Sequence, residues 1–371
     1  MCKNHRSYKQ TTLRMLTFFF GFSALTSAIS STAQQEDLQL KYIEFTQLGN
    51  PAEVLQVKLE QPRPLAAGEV RVKVLATPIH PSSLLQVSGN YGTTPKLPST
   101  PGNEGIGRVV ETSAEVSDLT VGQLVLLVGG GTWRDEIIAP PTSFVPLPDM
   151  GVATPQMIEQ LSMTAVNPLS ALLMLTSFVD LKAGDWIVHS AANSAVGGYI
   201  IQLAKQRGVN TINVVRREGL EDDLISKGAN IVLIDRPDLA AQIRKATGDQ
   251  PVVLAIDAVG GETFSRLAQS LGNGGTLVSY GVLSGKAASY NPAMAIFNDI
   301  RIRGFWLSKW FEKSGPEEKQ AAFGQIIPLI ASGTLKANID SRFSVGDIKQ
   351  AVTRAIQSGR NGKVLIVPSP L

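Results

Sequence analysis

Cysteine is almost missing from this 371-residue chain, which carries only Cys2. An internal disulfide framework and a thiolate metal site in the body are therefore excluded. Histidine is scarce as well, with three residues, His5, His80 and His189. A catalytic zinc site needs about three protein ligands of suitable type, and these are hard to assemble here. His80 precedes Pro81 in an extended loop and His189 lies in a small-residue turn, so both read as structural residues and no metal is expected. A basic face is lacking too. The chain holds 34 Lys and Arg against 31 Asp and Glu, but the excess sits in one place. Residues 1–33 contain Lys3, Arg6, Lys9 and Arg14 and no acid, leaving 30 bases against 31 acids in the rest. A nucleic-acid partner is excluded on that ground. No segment has 18 consecutive apolar residues, so no membrane span is expected in the mature chain. Heptads and repeats of 20–50 residues are also missing. What remains is ordinary for a globular protein of about two domains, with 43% hydrophobic and 18% charged residues.

The first 33 residues read as a targeting segment. Lys3 to Arg14 form a basic stretch, Leu16 to Ile29 an apolar one, and Ser31-Thr-Ala33 a small-residue cleavage site. These are the three parts of a secretory signal peptide, and they point to an exported or periplasmic location. The acid-free, Ser- and Thr-containing composition also fits an organellar transit peptide, so the mitochondrial matrix stays open. So does the cytoplasm, if the segment is a mis-assigned start.

The body changes pattern twice. From Leu38 to about Pro148, short alternating strands are broken by Pro and Gly, as in Val70-Arg-Val-Lys-Val-Leu, Gly107-Arg-Val-Val-Glu and Gln123-Leu-Val-Leu-Leu-Val. Such segments suit a small β-barrel-like domain. From Gln156, apolar strands alternate with amphipathic helices. Strands are expected at Trp186–Ala191, Thr211–Val215, Ile231–Ile234, Val252–Ile256, Gly275–Tyr280 and Ile302–Trp306. Helices are expected at Val196–Arg207, Gly219–Lys227 and Leu239–Thr247. That alternation means βαβ units and a parallel, doubly wound sheet. The tail returns to strand-like and helical pieces and ends with Lys363-Val-Leu-Ile-Val. The expected organisation is a targeting segment at 1–33, a first catalytic part at 38–155, a Rossmann domain at 156–310 and a returning catalytic part at 311–371.

The turn after the first Rossmann strand, His189-Ser-Ala-Ala-Asn-Ser-Ala-Val-Gly-Gly198, is made of small residues. A dinucleotide's pyrophosphate needs close backbone approach at such a turn and rests on the next helix N-terminus. The usual G-x-G-x-x-G is broken, because Ala192 and Ser194 stand where glycines might, and a purely structural turn explains the segment about as well. Arg216 and Arg217 are more specific. They end the second strand, where an NAD site usually has an acid for the ribose hydroxyl and an NADP site an arginine for the 2′-phosphate. NADPH is the expected cofactor. The alternative is that the two arginines merely solvate a loop.

The segment Ile79-His-Pro-Ser-Ser-Leu-Leu-Gln-Val-Ser-Gly-Asn-Tyr-Gly92 and the following Pro101-Gly-Asn-Glu-Gly105 resemble the zinc-free branch of the medium-chain dehydrogenase/reductase superfamily. More narrowly, the chain is similar to mitochondrial-type trans-2-enoyl thioester reductases. Gly131-Thr-Trp-Arg134, Val166-Asn-Pro168, Asn193-Ser-Ala-Val196, Asn213-Val-Val-Arg216 and Gly304-Phe-Trp-Leu-Ser308 match in family order. The resemblance implies a GroES-like β-barrel catalytic domain with an inserted Rossmann domain, and a homodimer. It also implies reduction of the C2=C3 double bond of an enoyl thioester carried on CoA or acyl carrier protein, as in fatty acid metabolism.

Residue by residue, the resemblance implies that Tyr91 is the proton donor and that Asn167 and Trp306 help shape the site. It implies NADPH contacts at Asn167, at Asn193, Ser194, Ala195 and Val196, and at Arg216, Arg217 and Glu218. Further contacts are implied at Tyr280, Gly281, Val282 and Leu283, at Phe305, Trp306, Leu307 and Ser308, and at Lys363. A tyrosine suits proton donation because its phenol is protonated at neutral pH and still acidic enough to give up its proton. The family commonly reads Asn-Pro-Ser-Asp before that tyrosine, and this chain reads His80-Pro-Ser-Ser83. The loss of the acid puts the hydrogen bonding of the loop in question. Two other functions stay open: an NADPH:quinone or enone reductase, which needs no donor tyrosine, and a non-catalytic NADPH-binding protein.

Overall fold

The computed structural model describes residues 39–371, so the targeting segment expected at 1–33 lies outside the described residues. An antiparallel ribbon of β1 (Leu40–Glu44) and β2 (Gln56–Glu60) opens the described chain, with the helical turn α1 (Pro51–Val54) between the two. β3 (Val70–Pro78) alternates buried valines with half-exposed or exposed residues, the pattern of a strand with one face on a core. It is followed by α2 (Pro81–Ser88), β4 (Gly105–Thr112), β5 (Leu124–Leu127), β6 (Glu136–Ala139) and β7 (Phe144–Pro146). Contrary to the extended loop expected after His80, Pro81 starts a helix. Proline suits that first position because its fixed φ is already helical and the missing N–H has no partner there anyway.

The chain then builds α3 (Pro155–Leu161) and the almost wholly buried α4 (Asn167–Thr176). Next come β8 (Trp186–His189), α5 (Ala195–Gln206), β9 (Asn210–Val215), α6 (Glu221–Lys227) and β10 (Ile231–Ile234). The second half runs α7 (Leu239–Thr247), β11 (Val252–Asp257), α8 (Gly261–Ser270), β12 (Leu271–Ser279), α9 (Pro292–Asn298) and β13 (Arg301–Gly304). The tail adds α10 (Leu307–Lys313), α11 (Pro316–Ala331), β14 (Ile339–Phe343), α12 (Ile348–Ile356) and β15 (Lys363–Ile366).

Six of these strands form a wholly parallel sheet in the order β10-β9-β8-β11-β12-β13. Three successive strands run one way from β8 and three the other way from β11, which is the doubly wound arrangement. The other large sheet has the order β14-β15-β3-β4-β5-β7, with β6 pairing on β3. Its last two strands come from the C-terminus, and β15 lies antiparallel to β3. After the β1–β2 ribbon the chain thus builds most of this sheet, makes the parallel sheet, and returns to the first with β14 and β15. One hydrophobic core joins both, running from Ala76, Ile106 and Leu126 through α4 to Tyr199, Ile256 and Ile326.

Strand β10 and helix α7 have the limits expected from the sequence. Of the ends that differ, three do so for clear local reasons. β12 begins at Leu271, earlier than the expected Gly275, pairing with β11 across a register shift. β13 ends at Gly304 because the chain turns at Phe305 and Trp306 into α10. α6 starts at Glu221, since Gly219 has φ 79°, outside the helical range, and three acids then favour the positive end of the helix dipole.

Candidate active site

In a doubly wound sheet, ligands bind beyond the carboxyl ends of the strands where the order reverses. Here that point lies between β8 and β11. Its floor is a network of buried polar groups. Ser190 donates from Oγ to Asp257 Oδ1 at 2.7 Å and accepts the N–H of Ala258 at 2.9 Å. The same carboxylate takes the N–H groups of Val259 at 3.0 Å and Gly260 at 2.8 Å. Above this floor the turn Ser190–Ser194 is tight. Ala191 has φ 50°, and a Cβ on Gly197 would lie 2.4 Å from the Ala192 carbonyl oxygen. Ser194 caps α5 by accepting the Gly197 N–H at 3.1 Å. The broken glycine fingerprint therefore keeps a close-packed turn, because the one glycine needed for strand–helix contact is Gly197. Asn193 is exposed, while Ser194, Ala195 and Val196 are half-buried at the helix start, where backbone N–H groups face outward.

At the end of β9, Arg216 and Arg217 are both exposed. Glu218 beside them pairs with Arg236 at 3.1 Å, which occupies that acid with a neighbour of opposite sign. At the end of β12, Tyr280 and Gly281 are half-buried and Val282 and Leu283 exposed. Phe305 follows β13, its N–H bonded to the Ser279 carbonyl at 2.9 Å and its ring edge-on to Phe178. Trp306 and Leu307 are half-buried and Ser308 exposed. All of these sites lie at one end of the parallel sheet.

The other sheet contributes Tyr91 to this end. Helix α2 closes on Gly89, whose φ of 77° turns the chain, and Tyr91 follows two residues later. Its hydroxyl oxygen accepts the indole N–H of Trp306 at 3.0 Å, with the rings edge-on at 6.0 Å. Lys309 lies over the face of the same indole at 5.8 Å. Asn167 opens α4, is only 5% exposed, and its Nδ2 has no hydrogen-bond partner among the described residues. A buried amide without a partner is costly unless a ligand or water satisfies it. This amide, the tight turn before α5 and the two free-standing arginines together fit a dinucleotide carrying a 2′-phosphate.

Lys363 is less open than the resemblance implied. Its Nζ donates to His80 Nδ1 at 2.8 Å, and the residue is buried. His80 Nε2 in turn meets Glu104 Oε1 at 2.6 Å, and Glu104 Oε2 accepts the Val166 N–H at 2.9 Å. Burial pushes the Glu104 carboxyl up and the Lys363 ammonium down, each resisted by the charge of the other. Burial and the Lys363 charge hold the His80 imidazole well below its usual range, so it is neutral. Glu104 and Asp257 were not singled out from the sequence as site residues. An acid inside a segment of Pro and Gly was the available signal for Glu104. At the position of the missing acid, Ser83 Oγ is buried and has no hydrogen-bond partner among the described residues. Among the described residues no three His, Cys, Asp or Glu side chains are arranged to hold a metal ion, and no helix is long and apolar enough to cross a membrane.

Two family descriptions match the sequence. An alcohol dehydrogenase GroES-like domain covers residues 66–149, and a zinc-binding dehydrogenase domain covers 195–328. The chain is similar to the mitochondrial enoyl-acyl-carrier-protein reductase of Rattus norvegicus, with 34% identity over 335 residues and 88% of each chain covered. The Homo sapiens protein of the same name is 32% identical over 347 residues, with 92% of each chain covered. Among solved structures, a putative NADPH:quinone reductase from Bacillus thuringiensis superposes with a TM-score of 0.80 at 30% identity, covering 89% of this chain and 99% of that one. The Etr1p complex with NADP and crotonyl-CoA gives 0.80 at 28% identity with the same coverage. A mitochondrial 2-enoyl thioester reductase heterodimer of Etr1p and Etr2p from Candida tropicalis gives 0.79 at 28%, again covering 89% and 99%.

Proposed function

The chain belongs to the family of mitochondrial-type enoyl-acyl-carrier-protein reductases, and from that membership we propose that it reduces the C2=C3 double bond of trans-2-enoyl thioesters with NADPH. The carrier is CoA or acyl carrier protein. The observation that carries this reading is the Tyr91–Trp306 hydrogen bond at the carboxyl end of the parallel sheet. It sets the phenol of Tyr91, on the loop after α2, beside the turn that follows β13, which supports a donor role.

When bound, NADPH supplies a hydride for C3 of the substrate. Asn167, the run Asn193 to Val196, Arg216 to Glu218, Tyr280 to Leu283, Phe305 to Ser308 and Lys363 would hold it. As the hydride arrives, negative charge grows at C2 and on the thioester oxygen, and an O–H donor there lowers the barrier. The Tyr91 oxygen accepts from Trp306, so its own hydrogen remains free to be given. Arg216 and Arg217 supply the positive charge that favours NADPH over NADH.

A homodimer is part of this reading. β13 is an edge strand exposed along its whole length, and Ile296, Phe297 and Ile302 near it are exposed apolar residues. An uncovered edge beside apolar side chains supports pairing with a second copy. The domain limits of 38–155, 156–310 and 311–371 remain our division of the chain, supported by the membership of the strands in the two sheets. For the leader, the mitochondrial names of the relatives favour the transit-peptide reading over export.

NADPH:quinone or enone reduction is the second reading, favoured by the likeness to the putative quinone reductase. NADPH oxidation measured side by side with crotonyl-CoA, a long-chain enoyl-CoA and a quinone separates the two. Turnover of thioesters alone supports the proposal and of quinone alone the second reading. Turnover of neither would mean an NADPH-binding protein without catalysis.

A further inference from the structure

Glu104 is wholly buried, and its backbone is fixed before its side chain is considered. The carbonyl oxygen accepts Thr77 Oγ1 at 2.6 Å and Thr132 Oγ1 at 2.9 Å, and both threonines are wholly buried. From this anchored point the two carboxylate oxygens reach different segments. Oε1 holds His80, the residue immediately before α2, and Oε2 holds the N–H of Val166, immediately before Asn167 and α4. Neither helix has a side-chain cap of its own at that position. The Val166 contact puts a carboxylate at the N-terminal end of α4, where the helix dipole favours it. The His80 contact sets the start of an eight-residue helix whose far end leads to Tyr91. Such a helix is about 12 Å long, so a small tilt at His80 is magnified at the tyrosine.

We propose that Glu104 is a positioning residue for the reaction, holding the segments that carry Tyr91 and Asn167 in one register through His80 and Val166, with Lys363 as its buried counter-ion. This rests on the function proposed above. The imidazole is the link specific to this chain, standing where the family commonly has asparagine. It is neutral, so it accepts at Nδ1 from Lys363 and donates from Nε2 to Glu104. Ammonium, imidazole and carboxylate form one directed chain across β15, the residue before α2 and the residue before β4. The ionisable groups around it are His80, Lys363, Tyr199 on α5, and Arg360 before β15. Arg360 acts on Lys363 by charge, and burial together with the Glu104 charge keeps Tyr199 neutral. The Ile79 N–H also bonds the Val364 carbonyl at 2.9 Å, so loop and strand are joined by backbone as well.

Glu104→Gln tests this, because an amide keeps the size but cannot accept from His80 and Val166 together. Hydrogen exchange on the cofactor-free protein should rise in residues 81–91 and 167–176 and stay unchanged in β9 and β10. With crotonyl-CoA, kcat should fall about tenfold or more, a larger change than that in the Kd for NADPH read by nicotinamide fluorescence. The pH profile of kcat should move, because Lys363 loses the charge that opposes its burial. His80→Leu, which keeps a similar size and removes both ring nitrogens, is the second variant should Glu104→Gln not fold. It should show the same exchange pattern and a moved pH profile. Wild-type exchange and an unchanged pH profile in either folded variant would overturn the inference. Absence of thioester turnover in the wild type would instead overturn the proposed function, and the exchange measurement would still decide this point.

Discussion

The Trp306 indole N–H donates to the Tyr91 hydroxyl oxygen at 3.0 Å, joining side chains 215 positions apart, one on the loop after α2 and one on the turn after β13. A phenol that gives up its proton leaves charge on its oxygen, and an N–H already directed at that oxygen stabilises the charge as it forms. Tyr91→Phe should therefore cut turnover on enoyl-CoA by about 10²–10⁴-fold, the range for general acid catalysis. Trp306→Phe keeps the phenol and removes the N–H with part of the ring, so a loss smaller than that of Tyr91→Phe is expected, about fivefold from the hydrogen bond itself. Steady-state kinetics of both variants check the order. Near wild-type turnover in Tyr91→Phe would favour the quinone reading.

Arg216 and Arg217 are exposed, and their neighbour Glu218 is engaged by Arg236. Charge-assisted hydrogen bonds to a phosphate are worth about 1.5–3 kcal/mol each. Replacing both arginines with alanine should weaken NADPH by at least tenfold and leave NADH nearly unchanged, as titration of nicotinamide fluorescence would show. Equal losses for the two cofactors would mean that the arginines only solvate the loop.

The β13 edge gives a prediction about assembly. Ile302 is 40% and Phe297 78% exposed, on and beside a strand that has a partner on one side only. Ile302→Glu adds a like charge to both copies across a two-fold pairing and should yield monomer where the wild type is a dimer. Light scattering at micromolar concentration reads the mass directly. A monomeric wild type would remove the dimer from the proposal.

Much of this architecture was legible because its signals are periodic. β10 and α7 have the limits that apolar spacing predicts, and the strand–helix alternation from Trp186 onward gives the parallel sheet. The arginines after β9 were legible for a similar reason, since their place follows from the turn and one βαβ unit. The Glu104–His80–Lys363 chain was not, because its members lie 24 and 283 residues from one another along the sequence and meet only when β15 returns beside β3. Nor did the pattern show that Pro81 starts a helix, because the short helix after it has no long apolar period. The Tyr91–Trp306 contact is of the same kind. Each residue was named through resemblance, and their touching depends on how the two sheets meet.

His189 carries a prediction about acid stability. It is wholly buried at the end of β8, and its Nε2 lies 2.7 Å from Asn213 Oδ1. The asparagine amide is engaged elsewhere, donating to Thr211 Oγ1 and to the Ile231 carbonyl, so its oxygen faces the ring and the imidazole is the donor. Burial lowers the imidazole to about 4, only partly offset by that hydrogen bond. The unfolded chain takes up this proton near the ordinary value of about 6.5. Between these two values the unfolded state binds more protons than the folded one, so stability falls as pH drops from 6.5 to 4 and is unaffected above that window. The whole step is about 3 kcal/mol at most, from the size of the shift. His189→Gln keeps an N–H for Asn213 and removes the titration. Its unfolding free energy in urea should therefore decline less between pH 7 and pH 5 than that of the wild type. The decline should not vanish, because His80 is lowered in the same direction and still contributes. An identical pH dependence in the two proteins would show that His189 is already protonated in the fold, or that it does not titrate in the unfolded chain as assumed.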